Sequence, residues 1–228
     1  MLINACSKIG FVVKLAGGFF TFPHKTLYLR SMLSQEDLQF YISLLKGVSI
    51  ADVYRLFKTA KTKKLRAGEI YIAEGSTSTI MGRIKSGLIR GYQLKPNGDE
   101  VTLTLSWENQ FVGSYDSIAW QRPSRFIFEA VEDTTLMEID YKIMQEFADR
   151  DPAIGVHRSN IQLRMLEKAI DRIESFVLMS PMERYLKLVQ DKPNIVNRVP
   201  DKHLATYLGI TPVSLSRIRK RIAQGKQH

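Results

Sequence analysis

The chain has 228 residues, 44% hydrophobic and 25% charged, which reads as globular and soluble, with enough material to bury a core in one large or two small domains. A formal net charge of +10 is the long-range field of a protein that approaches a polyanion. The single cysteine, Cys6, excludes a disulfide framework and an all-cysteine zinc or iron–sulfur site within one chain and fits a reducing cytoplasm, and no run approaches the roughly 18 apolar residues of a membrane span.

The opening MLINACSKIGFVVKLAGGFF has a basic residue ahead of an apolar run, as signal peptides do, but Lys14 interrupts the run and no small-residue cleavage site follows. Residues 1–32 therefore read as an N-terminal extension, with Met32 as an alternative start. From Leu33 to about Lys58 the apolar positions Leu38, Ile42, Leu45, Val53, Leu56 and Phe57 fit short helices broken around Gly47. Over residues 61–140 the pattern changes to β-branched and aromatic runs, GEIYIAEG, STIMGRIKSGLIRGYQL, EVTLTLSW and RFIFEAVEDTTLMEID. Turn signals separate them, notably Pro96-Asn97-Gly98-Asp99, where Asn-Gly supplies the positive φ of a tight hairpin. Many short strands without intervening helices indicate an antiparallel sandwich or barrel, giving a domain over 33–151.

Behind Asp151-Pro152 the period becomes helical. Leu163, Leu166, Ile170, Ile173 and Val177 are spaced 3, 4, 3 and 4, the seam of a coiled coil, with Val156 one heptad earlier. A second stripe, Ile154, Ile161, Met165, Ala169 and Phe176, runs along a neighbouring face. One stripe would cover the β-domain and the other meet a second copy; the alternative is one broad core-facing surface. Ser180-Pro181-Met182-Glu183 has the form of a capping box with proline at the first helical position, so the long helix, 152–179, ends near Met179 and a last domain, 180–228, begins. Pro193 and Pro200 close the next helix and the loop behind it.

Residues 200–228 carry Lys202, Arg217, Arg219, Lys220, Arg221 and Lys226 against one acid, Asp201. Within them, DKHLATYLGITPVSLSRIRK reads as helix, turn and helix. Leu204, Ala205 and Leu208 form one inner face, Gly209 permits the turn, and Leu215 with Ile218 form the other. The small alanine lets the helices cross closely; Thr211 caps the second helix and Pro212 opens it. A recognition helix enters the major groove N-terminus first, which puts Thr211, Pro212, Val213, Ser214 and Arg217 nearest the base edges. Arg217 is placed to grip guanine O6 and N7, and Ser214 with the free N–H groups of the first turn suits a phosphate. Arg219, Lys220 and Arg221 are expected to supply salt-dependent affinity, the alternative being a merely solvated basic face. The alternative is a ligand-binding or protein-interaction module whose terminal hairpin has lost DNA binding. No Gly-rich phosphate loop, metal triad or nucleophile signature points to an enzyme.

Over residues 33–224 the chain resembles the Crp/Fnr family of bacterial transcription regulators. The strings that carry the likeness are LRAGEIYIAEG, IKSGLIRGYQLKPNGDEVTL, FVGSYDS and LATYLGITPVSLSRIRK, the last preceded by SPMERYLKL as in the Crp-like regulators of Bacteroidetes-type bacteria. The resemblance implies an α+β chain: an antiparallel β-roll of the jelly-roll, cyclic-nucleotide-binding type, a long dimerisation helix and a C-terminal helix-turn-helix. It also implies a cytoplasmic homodimer whose partners are double-stranded DNA, RNA polymerase and a small-molecule effector, and it places Gly68, Gly75, Gly87, Gly98 and Gly113 at turns of the roll.

The departures concern the effector. Members that bind cyclic AMP have, after the F-x-G turn that here ends in Gly113, a glutamate for the ribose and then an arginine and a Ser/Thr for the phosphate. This chain has Ser114 in the glutamate's place and Ser124 in the arginine's, with Arg125 one residue late. In a strand such a slip turns the side chain to the opposite face unless a bulge intervenes. Cyclic AMP is therefore not the expected effector, and the cofactor is unknown. A single cysteine excludes an Fnr-type iron–sulfur sensor, and His24, His157 and His203, without ligand spacing, read as ordinary surface or interface histidines. With seven residues after Arg221, no β-hairpin wing is expected behind the recognition helix.

Overall fold

The computed structural model describes the chain continuously over 58–225, together with residue 55 and the backbone of an antiparallel hairpin, β1 (Phe11–Leu15) and β2 (Gly18–Phe22). The positions expected on short helices, Leu38, Ile42, Leu45, Gly47, Val53, Leu56 and Phe57, lie outside the described residues, as do Cys6, His24, Met32 and Lys226. Two compact units are formed, one of residues 1–59 with 145–158 and one of 60–144 with 159–228.

The second unit contains the β-roll. Its two four-stranded antiparallel sheets run β3 (Lys61–Leu65), β10 (Thr134–Asp140), β5 (Ile80–Ser86), β8 (Phe111–Val112) and β4 (Ile70–Ile72), β9 (Ile127–Ala130), β6 (Ile89–Leu94), β7 (Glu100–Ser106). Leu65, Ile72, Ile84, Ile89, Val112, Phe128, Ala130 and Leu136 fill the space between them. The quoted runs all contain strands. The edge strand β3, KTKKL, escapes the sequence pattern because it has one buried apolar residue and four exposed positions. At the β6–β7 turn only Gly98 takes a positive φ, 84°. Lys95 O accepts from Gly98 N, and Asn97 contributes through its side chain, which accepts from Asp99 N at 3.1 Å, so the hairpin is one residue longer than a two-residue Asn-Gly turn. Gly113 has no positive φ; a Cβ there would lie 2.9 Å from Ile118 Cδ1 and 3.2 Å from Ile80 O, so close packing and not backbone conformation favours the glycine.

Three helices lie where none was expected: α1 (Tyr115–Trp120), α2 (Tyr141–Arg150) and, later, α5 (Ile195–Arg198). Pro152 opens α3 (Pro152–Leu178), the long helix, and cannot continue α2. On α3, Leu163, Leu166, Ile170, Ile173 and Val177 are between 46% and 74% exposed, so the reading of one broad core-facing surface fails for the single chain. In the second stripe Ile154 and Ile161 are buried and Met165 half-buried, whereas Ala169 and Phe176 are exposed.

α4 (Pro181–Asp191) begins with the capping box in full: Ser180 Oγ accepts from Glu183 N and Glu183 Oε2 accepts from Ser180 N at 2.7 Å. α6 (Asp201–Leu208) and α7 (Pro212–Ala223) form the helix-turn-helix, with Leu204, Ala205, Leu208, Leu215 and Ile218 buried as the spacing requires and Gly209 left-handed at φ 70°. This helical core does not close on itself. Leu88 and Leu105 of the roll are buried in the same cluster as Tyr185, Leu188, Ile195, Val199 and Leu204.

Candidate nucleic-acid interface and effector cassette

Thr211 holds the first turn of α7 by accepting from Ser214 N at 3.2 Å, and Pro212 occupies the first helical position. Leu215 and Ile218 turn inward, which leaves Thr211, Pro212, Val213, Arg217, Lys220 and Arg221 exposed on the opposite side, with Ser214 half-buried. Two expectations need correction. Arg219 is bound to Asp201 through one guanidinium nitrogen at 2.8 Å from each carboxylate oxygen, so it closes α7 onto α6 and does not join the outward cations. The first turn also offers a phosphate less than its position suggests, because Pro212 has no N–H and the Ser214 N–H is taken by Thr211.

Of the residues at the expected effector positions, Ser114 and Ser124 are buried, whereas Arg125 is exposed and tied to a buried carboxylate. Ser114 is fully buried as the N-cap of α1, its Oγ accepting from Ser117 N. Ser124 is buried with its Oγ donating to Phe126 O at 2.8 Å. Arg125 lies in a bend ahead of β9, not in a strand, so the strand-parity argument does not apply to it. Its backbone N–H donates to Asp116 Oδ2 at 3.0 Å, and its guanidinium pairs with the same carboxylate at 3.0–3.2 Å. Burial opposes ionisation of Asp116, but these hydrogen bonds, with the charges of Arg125 and Arg122, outweigh it and hold the carboxyl below its ordinary range. Asp116 thus has its cationic partner within the cassette.

Sequence reasoning misses the polar seam between the roll and the helix-turn-helix. Arg90, on β6, is buried; it donates to Glu129 and pairs with Glu100, each at 2.7 Å, lies over the Tyr92 ring at 3.9 Å, and donates to His203 Nδ1 at 2.7 Å. Arginine can only donate, so His203 accepts with a neutral ring. Burial first, then the Arg90 and Lys202 charges, lower its pKa to about 4 against the pull of Glu100 and Glu129; of the two readings, surface or interface, burial rules out the surface one. Close by, Thr206 Oγ1 accepts from Thr102 N, and Arg198 binds both Glu108 and Glu132 at 2.6–3.2 Å while Lys192 joins Glu108 at 2.9 Å. Although burial opposes it, hydrogen bonds from Arg198 and Lys192 hold the Glu108 carboxyl at about 2. The one signal for this seam was an arginine inside an apolar strand run, IRGYQL.

Among the described residues no group of three or more His, Cys, Asp or Glu side chains is placed to hold a metal ion, and no helix is long and apolar enough to cross a membrane.

Against known proteins, residues 62–151 match the cyclic nucleotide-binding domain family. Electron transport regulator A of Shewanella oneidensis is 23% identical over 175 residues, covering 71% of this chain and 68% of that protein. FixK2 from Bradyrhizobium japonicum superposes with a TM-score of 0.64 at 19% identity, over 73% of this chain and 86% of its own. A protein from Eubacterium rectale described as a Crp/Fnr-family transcriptional regulator gives 0.62 at 18% identity, over 81% and 88%.

Proposed function

We propose that this chain, which has the fold of the Crp/Fnr transcription regulators with its cyclic nucleotide-binding-like roll, is a sequence-specific DNA-binding regulator that acts as a homodimer. The observation that carries the reading is the exposed side of α7, where Val213, Arg217, Lys220 and Arg221 lie together opposite the buried Leu215 and Ile218. A helix whose N-terminal turn presents Thr211, Pro212, Val213 and Ser214, followed by Arg217 one turn in, suits insertion into the major groove with the later cations toward phosphates. Val213 has only apolar contact to offer, such as a thymine methyl. The exposed stripe of α3 is the surface a second copy would cover, and two copies would read an inverted repeat. RNA polymerase is the protein partner such a regulator implies.

Cyclic AMP is not the effector in this reading. Gly113 and Ser114 bring no carboxylate to a ribose, and Ser124 brings no charge to a cyclic phosphate. Arg125 is held by Asp116.

The test is selection from a random double-stranded DNA pool at several salt concentrations. A regulator retains a defined sequence and shows a steep fall of affinity with salt. Retention of no sequence above background would favour instead a module that has lost DNA binding.

A further inference from the structure

The end of α3 and the turn of the helix-turn-helix share two arginines, Arg172 and Arg184. Arg184, in the first turns of α4, donates through Nε and Nη2 to Leu208 O at 3.1 and 3.0 Å, and through Nη1 to Met179 O at 2.7 Å and Ser175 O at 3.4 Å. Leu208 is the last residue of α6, and Ser175 and Met179 lie at and just beyond the end of α3, so one guanidinium serves the C-terminal carbonyls of two helices. Ser175 O also accepts from Met179 N at 3.3 Å, and the last carbonyls of both helices carry the negative end of each helix dipole, which suits a cation.

Arg172, one helical turn before Phe176, donates to Tyr207 O and lies over the rings of Tyr207 at 3.8 Å and Phe176 at 4.4 Å. Arg184 reaches the Phe176 ring as well, at 4.6 Å. The same ring closes on the turn: a Cβ at Gly209 would lie 2.6 Å from Phe176 Cε1. Gly209 is therefore required twice, for its left-handed φ of 70° and for the space the phenyl ring occupies.

These contacts join two things that matter to a dimer on DNA. Ile173 and Val177, beside Arg172 and Phe176 on α3, end the exposed apolar stripe; Pro212, three residues beyond Gly209, starts α7. We propose that Arg172 and Arg184 are positioning residues that lock the helix-turn-helix turn to the end of α3 and so set the separation of the two half-sites the dimer reads. The proposal rests on the DNA-binding reading above and adds to it what determines half-site spacing. A fork of donors into helix-end carbonyls fixes both distance and angle, whereas an apolar contact alone would let α3 and the turn slide.

The experiment takes the inverted repeat that the wild-type chain selects from random DNA and rebuilds it with the half-sites one base pair closer and one farther apart. Each base-pair step also rotates one half-site around the duplex, so a rigid dimer should lose about tenfold or more in affinity on either altered site. Arg184→Ala and, separately, Arg172→Gln should lower that discrimination to about twofold while binding an isolated half-site as the wild type does. Half-site binding shows that the helix-turn-helix is folded, and if Arg184→Ala does not fold, Arg172→Gln carries the test. Arg184→Lys keeps the charge but cannot fork among three carbonyls, so it should follow the alanine variant. Wild-type discrimination in the folded variants, or full rescue by lysine, overturns the proposal. A wild-type chain that selects no sequence would instead overturn the DNA-binding reading beneath it.

Discussion

Between β8 and β9 of the roll, Asp116 and Arg125 neutralise each other, whereas on α7 Arg217, Lys220 and Arg221 face solvent. Both stretches are places where the sequence puts cations next to candidate ligand-binding positions, and the outcome differs because of what lies within reach. Asp116 is buried in the first turn of a short helix and Arg125 follows nine residues later, so the carboxylate has a partner before any ligand arrives. On α7 the nearest acid, Asp201, is taken by Arg219. A polyanion meeting the roll at this loop would compete with the Asp116 carboxylate for Arg125, whereas Arg217, Lys220 and Arg221 face solvent.

The largest expected effect tests whether the outward surface works only in pairs. Replacing Leu166 and Ile170 by glutamate sets like charges against each other across the proposed seam and should give monomers, with affinity for the inverted repeat falling by about a thousandfold or more. Sedimentation velocity reads the assembly state and a binding titration the affinity. An unchanged sedimentation coefficient would remove the seam.

Next in size is acid sensitivity at the junction of the two regions. His203 is held neutral with its pKa lowered to about 4, so the unfolded chain takes up a proton that the folded chain refuses between the ordinary histidine value of 6.5 and 4. Stability is therefore complete above that window and lost as pH falls through it, by about 2–3 kcal/mol from this group. Glu108, held at about 2, extends the loss further: its contribution is present above the ordinary 4.5 and disappears as pH falls toward 2. Urea unfolding at pH 7, 5.5 and 4.5 should show the decline, and His203→Gln should flatten its upper part. A pH-independent midpoint in the wild type would contradict the buried neutral ring.

How much of this is legible in the sequence depends on whether a residue's partner is near in the chain. The capping box at Ser180, the Thr211 cap, Gly209 and the inner faces of α6 and α7 depend on spacings of a few residues, and all stand where the pattern put them. The exposed seam of α3 was one of two readings, since an apolar stripe does not name what covers it. Arg90 with His203, Arg198 with Glu108 and Glu132, and Arg184 with Leu208 join residues tens of positions apart, and nothing in a single chain couples them. The Arg125 argument failed for a related reason: it assumed a strand where the local hydrogen bonds of Ser124 and Asp116 make a bend.

Within α7 the contrast sharpens further. Arg217 is one turn from the helix start, so Arg217→Ala should cost about 1–3 kcal/mol on the selected sequence and little on random DNA. Discrimination would fall. Equal losses on both would make Arg217 a phosphate contact and leave specificity to DNA shape and to Pro212 and Val213.

The smallest effect distinguishes Arg219 from its neighbours, because it is the cation of α7 that behaves like those of the roll. Lys220 and Arg221 are exposed, and alanine at either should weaken all sequences alike and lower the slope of log affinity against log salt by about one. Arg219 is already neutralised by Asp201, so its removal displaces no phosphate contact and should leave that slope unchanged. What it loses is a partly exposed ion pair between α6 and α7, worth about 0–1 kcal/mol, read as a small fall in the unfolding midpoint with DNA binding intact. Asp201→Asn should reproduce the stability change. It would also free Arg219, and the salt slope should then rise by up to about one. If Arg219→Ala lowers the slope as Lys220→Ala does, the Asp201 pair opens on DNA, and all four basic residues from Arg217 to Arg221 belong to the interface.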